Sequence, residues 1–321
     1  MYQPRRVAHS GHVPVRTLNY HVLRWGPEGT HAGAQAGAQP PLVLMHGWMD
    51  VAASFQFVVD AFSESFVQGR PIIAADWRGF GLTQGPVQDH YGFPDYLADL
   101  DFLLDQIAPG QPVDLLGHSM GGNVVMLYAG ARPQRIRRLI NLEGFGLPAT
   151  QPEQAPARHA TWMDELKQFH RGELALKTYA DADGVARRLI KTNPRLPEDK
   201  AQWLARQWAR PITQGPNQGS WEILGDAAHK IVNPQLYRVE EVRAAYAAIT
   251  APVLVVEASE TQMEQWWQGR YSLAEFHERL QSVPRLHREV IQDAAHMLHH
   301  DQPEQLASLI EDFLTAEAPL P

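Results

Sequence analysis

Three short segments of this 321-residue chain bring together residue types that can carry acyl transfer. The first is Gly117-His118-Ser119-Met120-Gly121-Gly122, which follows the apolar run VDLL and precedes the helix-period stretch NVVMLYAGA. A serine set between glycines at a strand-to-helix turn fits the pattern G-x-S-x-G. Such a turn is crowded, and Gly117 and Gly121 let neighbouring backbone approach where a Cβ would clash. The helix that starts behind Ser119 favours the negative charge of an acyl-transfer intermediate.

Serine is a weak nucleophile until a base takes its proton. Among 15 histidines, His296 lies between the last apolar run and the C-terminal amphipathic stretch. That position faces the sheet edge on which all parallel strands end, Ser119 included. The third segment, His46-Gly47-Trp48-Met49-Asp50, closes the apolar run LVLM. Gly47 permits a tight turn that aims the Trp48 amide inward, opposite the Met120 amide, and an oxyanion hole needs two such donors. His299 and His300 raise the question of zinc, but neither HExxH nor a carboxylate pair accompanies them, and no metal is expected. Gly79-Phe80-Gly81 resembles part of a dinucleotide fingerprint, yet its sixth position is Gln84, so no nucleotide cofactor is expected.

The elements that must position these residues alternate between two periods. Apolar, β-branched runs at 42–45, 71–76, 113–117, 138–143, 252–257 and 286–292 read as buried strands, with an antiparallel hairpin at 13–25 before them. Amphipathic stretches at 54–68, 95–107, 120–131, 273–283 and 303–317 read as helices. The alternation predicts a doubly wound, mainly parallel α/β sheet. The glycine- and alanine-rich stretch 29–41 reads as an exposed loop. Between 147 and 245 helical segments follow one another with no strand evident, and this part holds Trp162, Trp203, Trp208 and Trp221. The expected organisation is a core of 1–146 and 246–321 with a helical cap of 147–245.

Composition narrows the function classes. Hydrophobic residues make up 44% and charged residues 20%, as in folded globular chains. The net charge of −8 has no basic cluster to engage phosphates, so nucleic acid is not an expected partner. The absence of cysteine excludes disulfides, thiolate metal sites and a cysteine nucleophile. Nowhere do 18 apolar residues run together, and the basic start carries no apolar stretch behind it, so no membrane span is expected and the location is read as cytoplasmic.

LMHGW, DWRGFGLT, GHSMGG and AAHMLHHDQPE, in that order and at those separations, resemble the α/β-hydrolase superfamily across nearly the whole chain. HGWMDVAASF and LINLEGFGLP are similar to its serine hydrolase-like group, relatives of epoxide hydrolases and haloalkane dehalogenases. Those two enzyme types attack with aspartate. Here the matching residue is Ser119, and the resemblance implies ester-type acyl transfer. It also implies that Asp76-Trp77-Arg78-Gly79-Phe80-Gly81 braces the floor of the site. The third triad member departs from the commonest family pattern: the place of the usual aspartate is held by Thr261, with Glu260 one residue early and Glu257 four early. A second family arrangement sets the acid at the end of the preceding strand, and Glu143 stands 24 residues beyond Ser119, where LINLE ends. Glu143 is the preferred acid and Glu260 the alternative. The expected function is hydrolysis of a small, largely apolar carboxylic ester through an acyl-enzyme. Lactone, thioester, carbon–carbon or perhydrolase chemistry, or ligand binding without catalysis, stand as alternatives, and the oligomeric state is left open.

Overall fold

The structure is a computed structural model and describes residues 2–26 and 39–316. The loop expected at 29–41 therefore falls, up to residue 38, outside the described residues. Strands β1 (His9–Val15) and β2 (Leu18–Trp25) form an antiparallel hairpin. The hairpin begins four residues before the expected start because β1 is an edge strand: its outer half, His9 to His12, is polar and mostly exposed and gives no apolar alternation to read.

Strand β3 (Leu42–Met45) is followed by a 3₁₀ turn (Ala52–Phe55) and helices α1 (Gln56–Ala61) and α2 (Glu64–Gly69), then by β4 (Ile72–Ala75). The single helix expected over 54–68 is interrupted at Phe62-Ser63. Ser63 caps α2 by accepting from the Phe66 amide, and its own N–H and hydroxyl donate to Glu311, which fixes the break. Helix α3 (Phe93–Ile107) leads to β5 (Val113–His118), α4 (Met120–Ala131) and β6 (Ile136–Leu142).

The sheet order is β1-β2-β4-β3-β5-β6-β10-β11, with β10 (Val253–Ala258) and β11 (Leu286–Ile291) contributed after an insertion. From β4 to β11 all neighbours are parallel. Strands β3, β4, β5 and β10 are buried at every residue, which is why they read as continuous apolar runs rather than alternating ones. Successive side chains still point to opposite faces. Val43 and Leu115 join α3 and α4 residues such as Leu100 and Val124 in one core. Leu44 and Leu116 join Val58 of α1 and Phe66 of α2 in the other, so truncating either leucine to alanine should cost about 2–5 kcal/mol.

The insertion carries α5 (Ala155–His170), α6 (Ala182–Thr192) and α7 (Glu198–Trp208), and it is not purely helical. Strands β7 (Thr178–Tyr179), β8 (Ala209–Pro211) and β9 (Trp221–Ile223) make a small antiparallel sheet in the order β7-β9-β8. Two- and three-residue strands are too short to show a period, which is why the sequence shows none there. Trp203, Trp208 and Trp221 pack on Val185, Leu204 and Ala205 and, through Phe57 and Val51, onto the main body. Helix α8 (Val239–Ala247) closes the insertion and lies on α4 so tightly that a Cβ on Gly130 would overlap the Ala245 backbone. The chain ends through α9 (Met263–Trp266), α10 (Leu273–Leu280), α11 (Leu298–Asp301) and α12 (Pro303–Thr315). Phe276 of α10 belongs to the first core and Leu306 and Phe313 of α12 to the second, so helices cover both faces. No helix among the described residues is long and apolar enough to cross a membrane.

Candidate active site

Ser119 stands between β5 and α4 with φ 54° and ψ −115°, a backbone conformation that a side-chain-bearing residue rarely adopts. The turn is held from both sides: the Ser119 amide donates to Leu142 O at 2.8 Å, and Ser119 O accepts from the Asn123 amide at 3.0 Å. The glycines are steric necessities here. A Cβ on Gly117 would strike the Gly121 carbonyl, and one on Gly121 would strike Met45 O. Gly47 is also tightly enclosed, though less so, since its Cβ would come within 3.0 Å of His118 Nδ1 and 3.1 Å of Ser119 Cβ. The glycine before Trp48 is thus packed directly on the serine.

His296 Nε2 lies 3.0 Å from Ser119 Oγ, and His296 Nδ1 lies 3.3 Å from Glu143 Oε2. Glu143 directly follows β6, itself at φ 54°, and its amide donates to Val256 O at 3.0 Å. Its Oε1 accepts from the Ala258 amide at 2.7 Å, and its Oε2 accepts from the Thr261 hydroxyl at 2.9 Å. Thr261, which holds the place of the commoner aspartate, thus serves the glutamate instead. Glu260 is drawn away into an ion pair with Arg195, and Glu257 accepts a hydrogen bond from His277 at 2.8 Å. The structure brings Ser119, His296 and Glu143 together and leaves Glu260 outside.

Burial sets the protonation states. It pushes His296 down to about 4, so the imidazole is neutral near pH 7 and able to accept a proton. Burial pushes Glu143 up to about 7, opposed by the Ala258 amide and the Thr261 hydroxyl. The Met120 amide heads α4, where no intrahelical acceptor exists. Among the described residues the Trp48 amide donates to no carbonyl.

The residues around this line were only partly foreseeable. His118, the residue before Ser119, is buried and donates from Nε2 to His296 O at 2.8 Å, which fixes the loop carrying His296. Trp266 sets its ring edge-on to His296, with centroids 4.5 Å apart, and stays 43% exposed. Trp48, beside Gly47, is 52% exposed. The DWRG segment braces the floor: the Trp77 amide donates to His46 Nε2 and its indole to His46 O, both at 2.9 Å. His299 and His300 are fully buried and share the Ser54 hydroxyl at 3.1 and 2.6 Å. Asp50, His118 and His299 offer ligand atoms within 4.8 Å of one another and are all buried, a grouping that shares only His299 with the pair raised by the sequence.

Comparison with known proteins bears on the fold and the family. Residues 40–303 match the family model described as alpha/beta hydrolase fold. A "Serine hydrolase-like protein" of Danio rerio is 22% identical over 322 residues, covering 98% of this chain and 91% of the relative. A "2-hydroxy-6-oxo-2,4-heptadienoate hydrolase" of Pseudomonas putida is 36% identical over 114 residues, which cover 35% of this chain and 40% of that protein. Among solved structures, the "Thioesterase Domain From Curacin Biosynthetic Pathway" superposes with a TM-score of 0.78 at 22% identity, covering 95% of this chain and 99% of that one, a likeness of fold. With a family match over most of its length and named relatives that are hydrolases, the chain belongs to the α/β-hydrolase fold family.

Proposed function

We propose that the protein hydrolyses small, largely apolar carboxylic esters by a Ser119–His296–Glu143 triad. The observation that carries the reading is the 3.0 Å contact between His296 Nε2 and a serine held at φ 54° at the head of α4. His296 takes the Ser119 proton as Oγ attacks the ester carbonyl, and Glu143 holds the Nδ1–H tautomer and steadies the imidazolium. The Trp48 and Met120 amides receive the oxyanion. The imidazolium then protonates the departing alcohol, and water repeats the cycle to free the acid.

Residues 147–245 serve in this reading as a cap. The Trp208 indole donates to Met49 O at 2.9 Å, which ties the insertion to the loop that carries the oxyanion amide. Exposed Trp48 and Trp266 flank the dyad and supply the apolar contact, while Trp203, Trp208 and Trp221 belong to the core of the insertion. The test is a series of p-nitrophenyl esters of increasing acyl length with the parent protein and Ser119→Ala side by side. Release of many equivalents of p-nitrophenol confined to the parent supports the reading, and equal turnover by both proteins ends it.

One observation favours a second substrate class for the same residues. The 36% identity to the heptadienoate hydrolase spans about a third of this chain, and that name denotes hydrolysis of a carbon–carbon bond. Turnover of a vinylogous diketone with no turnover of simple esters would select it.

A further inference from the structure

The β1–β2 hairpin holds a second serine, histidine and carboxylate in line. Its register pairs Ser10 with Leu23 and His12 with His21, so Ser10 and His21 lie on one face as diagonal neighbours. Ser10 Oγ is 2.8 Å from His21 Nε2, and His21 Nδ1 is 2.7 Å from Asp76 Oδ2. Asp76 is buried and also accepts from the Ala52 amide at 2.7 Å and the Leu82 amide at 2.8 Å. Burial works against its ionisation, but His21, His46 and these amides together hold its carboxyl below the usual range. A carboxylate only accepts, so His21 carries a proton on Nδ1 and turns Nε2 to the Ser10 hydroxyl. The imidazole is buried, and the backbone on either side of the pair is tied together: the His21 amide donates to Thr83 Oγ1 at 3.0 Å, and the Thr83 hydroxyl donates to Asp76 O at 2.7 Å. Ser10 itself is exposed on the edge strand.

We propose that Ser10 is a second activated serine, aligned by His21 and Asp76, that accepts one acyl group from an activated ester. Ser10 Oγ bonds to the acyl carbon as its proton passes to His21 Nε2, the carbon–oxygen bond to the leaving phenolate breaks, and His21 returns the proton to water. With a fluorophosphonate the same oxygen bonds to phosphorus and fluoride leaves. Ser10 lies in an extended strand and not at a helix N-terminus, so its oxyanion lacks the help given to Ser119 and the acyl group stays on.

The experiment uses the full chain carrying Ser119→Ala, so its outcome is independent of the function proposed above. The protein is treated with a fluorophosphonate and, separately, with p-nitrophenyl acetate, and modified peptides are mapped over time. The reference is Ser65, which is exposed and among the described residues bonded only to Ser63. Ser10 should be modified at least tenfold faster than Ser65, and His21→Gln should bring it down to the Ser65 rate. Equal rates at the two serines, or a Ser10 rate unmoved by His21→Gln in a folded protein, overturn the proposal. Should His21→Gln lose the circular dichroism of its parent, the ratio of Ser10 to Ser65, which needs no change at the histidine, decides alone.

Discussion

The two serine lines of this molecule differ in an unexpected direction. Ser10–His21–Asp76 has the shorter contacts, 2.8 and 2.7 Å, whereas Ser119–His296–Glu143 has 3.0 and 3.3 Å. Side-chain alignment therefore does not separate a turnover site from a reactive side chain. The backbone does: Ser119 is strained to φ 54° at the head of α4 with the Gly47 loop packed against it, while Ser10 continues a regular strand. Side chains activate the oxygen, and the backbone around it decides whether the intermediate that follows is stabilised.

The largest effect follows directly. Ser119→Ala and His296→Ala should each lower ester turnover by about 10⁴-fold or more, because loss of either leaves only binding and the oxyanion hole. Steady-state rates on a short p-nitrophenyl ester check this. A drop below tenfold would mean that Ser10, or another residue, carries the turnover, and the comparison would invert.

Next comes the acid. Glu143→Gln should lower turnover by about 10²- to 10⁴-fold, the range expected for losing the group that orients the imidazole. Glu260→Gln should change it little, since its ion pair with Arg195 is at the surface and such pairs contribute about 0–1 kcal/mol. The reverse ranking in kcat would exchange the two residues.

How these parts read from sequence follows their physics. Buried parallel strands and the serine turn are written in composition, as runs such as VDLL and glycines forced by contact, so β3, β5 and the turn at Ser119 could be located directly. Glu143 was legible from its place 24 residues beyond Ser119, which resembles a family arrangement, and as a carboxylate at a buried strand end, an expensive placement without partners. What completes it was not legible: the Thr261 hydroxyl reaches it from a loop 118 residues later in the chain. Trp266 escaped for a similar reason, as its contact with His296 depends on a four-residue helix with no period of its own. The Ser10 line needs register, because Asp76 comes from a different part of the chain than the hairpin it joins.

A smaller effect sharpens the contrast on the substrate side. Trp48→Ala and Trp266→Ala should shift the preferred acyl length by about 1–3 kcal/mol in kcat/KM ratio, roughly 10- to 200-fold, while leaving the best substrate less affected. Uniform loss across the series would assign both rings to shaping the dyad and not to binding.

The smallest effect compares the two carboxylates through stability. Burial raises Glu143 from its ordinary 4.5 to about 7 in the folded protein. Between those values the folded state holds the proton more tightly than the unfolded chain, so this group's contribution to stability falls as pH rises through the window. His296, lowered from 6.5 to about 4, has the opposite slope: the unfolded chain binds the proton there, and stability rises with pH. Glu143→Gln removes only the first slope. The variant should match its parent below about pH 4, where the side chain is neutral in both the folded and the unfolded chain, and exceed it at pH 8 by on the order of 1 kcal/mol or more in urea unfolding. Asp76 is held below its ordinary range, so its ionised form contributes stability at neutral pH that is lost as pH falls through the acid range. Asp76→Asn should accordingly be less stable than its parent at pH 8. If both substitutions lowered stability at pH 8, Glu143 would not be raised in the folded protein, and its hydrogen bonds to the Ala258 amide and the Thr261 hydroxyl would outweigh its burial.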